Sequence, residues 1–169
     1  DPSKTTTPLF AASQVGHVEI LAALLAAGAR VEGAKRSDGS TPLWAASASG
    51  HAGAVSALLA AGAEVDPIMQ DPENNATAAT PLWIASVRGH ADVVSTLVNA
   101  GASIDWSDRD DQVTSLMAAS QQGHVEVLTV LLEAGAAVNQ TDIDGRPPLL
   151  LASQEGHVEV VATLLAAGA

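Results

Sequence analysis

The sequence predicts an all-α solenoid, a row of helix-turn-helix units joined by finger loops or short β-hairpins, and three observations predict it. Thr7, Thr41, Thr80, Thr114 and Pro147 fall in register at spacings of 34, 39, 34 and 33 residues. The Gly-His pairs that end at His17, His51, His90, His124 and His157 keep the same spacings. So do the Gly-Ala pairs that begin at Gly28, Gly62, Gly101, Gly135 and Gly168. Three columns sharing one uneven set of intervals mark an internal repeat of the length found in stacked arrays.

The first helix of each unit opens with Thr as N-cap and Pro at the first helical position, where a missing N–H costs nothing. Thr41-Pro42 shows this best, and the helix that follows runs through Leu43, Ala45 and Ala46 and ends near Gly50. The second helix carries an apolar stripe: Val55, Leu58 and Leu59, then Val94, Leu97 and Val98, then Val127, Val130 and Leu131. Gly62, Gly101 and Gly135 stop it, and Asp-Gly turns at Asp38-Gly39 and Asp144-Gly145 suit a hairpin-like connection to the next unit.

Composition agrees with helices. Nearly half the residues are hydrophobic, mostly Ala and Leu, while Tyr is absent and Phe10 is the single phenylalanine. Small side chains let helices lie close together, and Ala and Leu are strong helix formers. A lone unit exposes its stripe, so stability is a sum over neighbouring contacts. We expect one domain over residues 1–169, with units at about 3–35, 36–74 (carrying a long inserted finger), 75–108, 109–141 and a shortened 142–169. Neither end shows the polar replacements of a capping unit, which suggests part of a longer array.

The columns read T-P-L-x-x-A-S-x-x-G-H-x-x-V-V-x-x-L-L-x-x-G-A, and residues 41–63, 80–102 and 114–136 carry nearly every position. This pattern resembles the ankyrin repeat across essentially the whole chain. The resemblance implies an ankyrin-repeat α-solenoid that acts as a protein-binding scaffold. It also assigns each His a structural role, capping or bridging the turn between its two helices.

Two departures stand out. The family's His after Thr-Pro-Leu is replaced by Phe10, Trp44, Trp83, Met117 and Leu150; these suit an apolar ladder between units, with Trp44 and Trp83 as secondary binding candidates. The spacing of 39 inserts residues between Val65 and Ala79, including Pro67, Pro72 and Asn74-Asn75. Prolines remove backbone donors, so an extended, irregular loop is expected there and not a regular strand pair.

Chemistry that the residues invite is refused by their spacing. Five histidines in one column sit one unit apart, roughly 8–10 Å as helices pack, too far for one zinc ion. Asp108, Asp110 and Asp111 lack the alternating ligands and glycine of a calcium loop. No glycine-rich phosphate cradle precedes a helix. Ser47, Ser86, Ser120 and Ser153 recur at one helical position, as packing residues do. No cofactor, metal site or catalytic group is expected, and the chain is read as not an enzyme.

Nineteen acidic residues against seven Lys and Arg give a net charge of −12, which opposes nucleic acid and anionic membranes and favours a protein partner with a basic surface. No apolar run is long enough to span a bilayer, so direct membrane insertion is not expected. Absence of Cys excludes disulfides without fixing a compartment; an intracellular, cytoplasmic setting is our expectation.

By position, the resemblance places partner contacts on the concave face formed by fingers and first helices: Asp38, Ser40, Ala48, Ser49, Val87, Arg88, Trp106, Asp110, Asp111, Val113, Gln121, Gln122, Asp144, Arg146, Gln154 and Glu155. Ten of nineteen acids lie in three finger segments, which gives this rim a negative charge that either steers a basic partner or serves solubility. Trp106, on a finger outside both helical stripes, is either an interface anchor or folds back onto Trp83 or the adjoining finger. Asn139 matches the position that is hydroxylated in some ankyrin repeats. The leading function is a non-catalytic interaction scaffold. A structural or accessory subunit of a large assembly is the alternative, and a regulatory region attached to an enzyme or channel is a third reading.

Overall fold

The computed structural model describes residues 7–32, 39–71, 76–107 and 110–169. Within them ten helices follow one another in five short pairs. These are α1 (Pro8–Val15) with α2 (Val18–Ala26), α3 (Pro42–Ala48) with α4 (Ala52–Ala60), α5 (Pro81–Val87) with α6 (Ala91–Asn99), α7 (Ser115–Gln122) with α8 (Val125–Glu133), and α9 (Pro148–Glu155) with α10 (Val158–Ala166). Two strands, β1 (Met69–Asp71) and β2 (Ala76–Ala79), lie between α4 and α5.

The caps explain where the first helices start. The hydroxyls of Thr7, Thr41, Thr80 and Thr114 accept the N–H groups of Phe10, Trp44, Trp83 and Met117 at 3.2, 3.1, 3.2 and 3.3 Å. Each bond satisfies one of the orphan donors of a helix N-terminus. Pro147 takes the same extended backbone before α9 without a side-chain acceptor. At the far end of α3, the N–H of His51 reaches the Ala46 carbonyl at 3.0 Å and the N–H of Gly50 reaches Ser47 at 3.3 Å. That closure needs the left-handed backbone found at Gly50, φ 77°, which glycine adopts without a Cβ penalty.

First helices pack on first helices and second helices on second helices, from α1 to α9 and from α2 to α10, so the units form two layers. One continuous core runs through them from Leu9 to Leu164. Val55, Leu58, Val94, Leu97, Val127 and Leu131 are fully buried in it, each contributing roughly 1.5–3 kcal/mol by removal from water. Leu59, Val98 and Val130 from the same stripe are only partly covered. Phe10 is buried against Ala45 of the next unit, as a ladder between neighbours requires.

Two expectations are corrected. The long finger is not an irregular loop: β1 and β2 pair antiparallel, Met69 opposite Ala79 and Asp71 opposite Ala76, with one irregularity in register. Pro67 precedes β1 and stands outside it, so it removes no donor from that strand. The Asp144-Gly145 finger, by contrast, closes as a turn in which the N–H of Asp142 meets the Arg146 carbonyl at 3.2 Å.

The second correction concerns the histidines. Their side chains do not cap their own second helices, although their backbones hold the N-cap position of each. They bridge one unit to the unit before it. The Nε2–H groups of His90, His124 and His157 donate to the carbonyls of Ala48, Val87 and Gln121 at 3.3, 3.0 and 2.9 Å. The carbonyls near a helix C-terminus have no intrahelical partner, and these rings supply one.

Candidate functional site

The finger and first-helix flank is built from residues that the packing leaves over. Asp110 and Asp111 are exposed just before α7, Gln121 and Gln122 at its end, and Gln154 and Glu155 at the end of α9. Asp144 is exposed in the last finger, while Ser49, Val87, Trp106, Val113 and Arg146 are half-buried. The backbone ties neighbouring fingers together, because the N–H of Ile143 donates to the Asp111 carbonyl at 3.0 Å. Between Asp111 and Val113, Gln112 takes φ 56°, a left-handed conformation uncommon for a residue with a side chain.

Two of the expected contact residues are buried. Ser40 is 2% and Ala48 4% exposed. Ala48 is covered because its carbonyl is a junction point, accepting Arg88 Nη1 at 2.9 Å as well as the His90 ring. Arg88 is therefore a bridge between α5 and α3 as well as a surface residue. Asp38 lies outside the described residues.

The acidic rim is also thinner than composition suggests. Oδ2 of Asp66 accepts the N–H and hydroxyl of Ser103 at 2.9 and 2.7 Å. Oδ1 of Asp105 accepts the N–H of Ala137 at 2.9 Å, and Glu32 Oε1 accepts the N–H of Glu64 at 3.0 Å. These three carboxylates occupy one repeat position and brace the start of the next unit's finger. Asn139 shares that position, and its Nδ2 donates to the Gly168 carbonyl at 3.3 Å.

Asp142 is withdrawn from the rim as well. It is 4% exposed and accepts the N–H groups of Asp144 and Arg146 at 3.0 and 2.8 Å on Oδ1, and Arg146 Nε at 2.8 Å on Oδ2. Burial pushes its carboxyl up, but the hydrogen bonds and charge of Arg146, with the N–H of Asp144, more than offset this and hold it below the ordinary value. Arg146 Nη2 also reaches Asp144 at 3.2 Å. Glu64, Asp110, Asp111 and Asp144 are exposed on the rim, while Asp108 and Glu73 lie outside the described residues.

Two exposed apolar residues on this flank escape sequence reasoning: Ile68 in the long finger, 48% exposed, and Ile143 in the last, 58%. A signal existed at Ile143, an apolar residue set between two aspartates in a turn where repeats of this kind place polar groups.

The helix pairs, the two layers and the Gly-His junctions belong with one comparison. The family model described as ankyrin repeats in three copies matches residues 1–69, 68–142 and 108–169. The chain belongs to the ankyrin-repeat family. No curated protein matches it. Ankyrin repeats are generally protein-protein interaction modules and typically not catalytic, so this ankyrin-repeat chain implies protein partners. No helix among the described residues is long and apolar enough to cross a membrane.

Proposed function

We propose that this ankyrin-repeat chain is a non-catalytic scaffold that binds a partner protein through its fingers and the adjoining flank of its first helices. The observation that carries this is the exposure of Ile143 beside the exposed carboxylate of Asp144, on a finger bonded to the one that carries Asp110 and Asp111. An apolar anchor next to an exposed carboxylate suits a basic segment with an apolar side chain of its own, because charge steers the encounter and burial holds the complex. Trp106 is half-exposed on the preceding finger and extends the same surface.

The test is affinity purification followed by crosslinking mass spectrometry. Links from a partner should concentrate on the fingers around Asp110, Asp111 and Asp144. Links confined to the second helices α2 to α10 would reject the assignment. Membership of a large assembly would show instead as several stoichiometric partners with extensive apolar contacts.

A further inference from the structure

We propose that the flank of the first helices takes an extended, basic and proline-rich segment of a partner protein, laid across successive units as a polyproline helix. This deepens the reading of the fingers and first helices as the binding surface and rests on it. Trp44 and Trp83 are the starting point. Each stands three residues after its capping threonine, with its backbone N–H held by Thr41 or Thr80 at 3.1 and 3.2 Å, so the two occupy the same turn of α3 and α5. Those helices pack side by side, which sets the two positions roughly 8–10 Å apart along the array. Both belong to interior units, with α1 packed on α3 and α7 on α5.

The units on either side bury this column as a ladder: Phe10 is 3% and Met117 0% exposed. The two tryptophans between them are only half-buried, so each keeps part of its ring toward solvent. Nε1 of Trp44 is inside, which leaves ring carbon as the exposed portion of that indole. Val87, half-buried one helical turn beyond Trp83, widens the apolar strip. One unit further on, Asp110 and Asp111 are exposed on the finger that leads into α7. Arg88, at the C-cap of α5, donates to the Ala48 carbonyl at 2.9 Å, and Arg146 pairs with Asp142 and Asp144. The finger end of the strip is therefore acidic.

The surface thus offers an indole, a second indole and a pair of carboxylates on three successive units. A polyproline helix turns once every three residues and rises about 3.1 Å per residue, so every third side chain returns to one face about 9 Å along. That is the interval between units. Proline at two such positions lays its flat, rigid ring on the exposed faces of Trp44 and Trp83. Arginine at the next meets Asp110 and Asp111 with its forked donors. The segment is stiff before it binds, so docking costs little conformational entropy. Charge complementarity selects a basic segment over a neutral or acidic one.

The experiment is fluorescence anisotropy of labelled peptides titrated with the 169-residue chain. The peptides carry proline, proline and arginine at every third position with alanine between, in both chain directions. At least one should bind with a Kd below about 1 mM, and more weakly as NaCl rises. Replacing the arginine with glutamate, both prolines with glycine, or moving one proline by a single residue should weaken binding at least about tenfold. Trp44→His and Trp83→His restore the residue usual at this position in ankyrin repeats. These variants and Asp110→Asn should each lower the affinity at least about fivefold, with the far-UV circular dichroism unchanged. Equal binding by an all-alanine peptide with the same arginine would assign the surface to a helix and overturn the proposal. So would indifference to proline spacing or to all three variants. If no such peptide binds while crosslinks from a partner still map to the fingers, the polyproline segment is rejected and the binding surface stands. Crosslinks confined to the second helices reject both.

Discussion

The Nε2–H of His124 donates to the carbonyl of Val87 at 3.0 Å while the same ring fills the space over Gly89, at the point where α5 gives way to α6. One side chain thereby satisfies a helix-end acceptor and locks two units in register. Removing it by His124→Ala should lower the stability by about 1–2 kcal/mol. Gly89→Ala should lower it by more, through the strained φ of 77° and a Cβ at 2.7 Å from the ring. The double variant should fall short of the sum, because without the ring the clash is gone. Urea denaturation of the four proteins measures this, and strict additivity would show that the ring does not occupy the slot.

Ser47 and Ser86 hold the same place in neighbouring units but differ in bonding. Ser86 Oγ donates to the Leu82 carbonyl at 2.8 Å, whereas Ser47 Oγ is buried without a partner. Deleting an unsatisfied hydroxyl relieves a desolvation penalty; deleting a bonded one does not. Ser47→Ala should therefore raise the midpoint of urea unfolding, and the two variants should differ by about 1 kcal/mol.

Asp142 and Arg146 make the last finger sensitive to acid. The folded carboxyl titrates below its unfolded value of about 3.9, so its contribution is complete above that pH and is lost as pH falls through the lower, folded value. Asp142→Ala should cost about 2 kcal/mol near neutral pH. Its stability should then converge on that of the parent in strong acid. Unfolding curves across the acid range test both the size and the sign.

Partner binding on the fingers should weaken as salt rises. Trp106→Ala should reduce affinity by more than about 1 kcal/mol without loss of helicity, and Ile143→Ser should do the same. Titration calorimetry against the crosslinked partner checks each. Undiminished affinity in both variants would remove the fingers from the interface.

Much of the fold was legible in residue order because each unit repeats local signals. Thr41 with Pro42 starts a helix, Gly50 ends it, and Val55 with Leu58 gives the next helix its buried side, all within one turn or two of chain. The long finger was misread for the same reason: Pro67 and Pro72 argue against strands locally, yet Met69 and Ala79 pair across the segment. The candidate site was less legible. Exposure of Ile143, burial of Ala48 and the use of Asp66, Asp105 and Asp142 as internal acceptors depend on which neighbour each residue meets.

The sequence by itself determined the units, their helices, the family and the apolar columns, since these follow from periodicity and capping over short stretches of chain. The tertiary structure alone decided that the histidine rings join one unit to the unit before it instead of capping their own second helices, and which carboxylates remain on the surface. The physical reason is range. A cap or a stripe is set by residues three or four apart, whereas a hydrogen bond from one unit to the next joins atoms some 29 to 42 positions apart and exists only once the units are stacked.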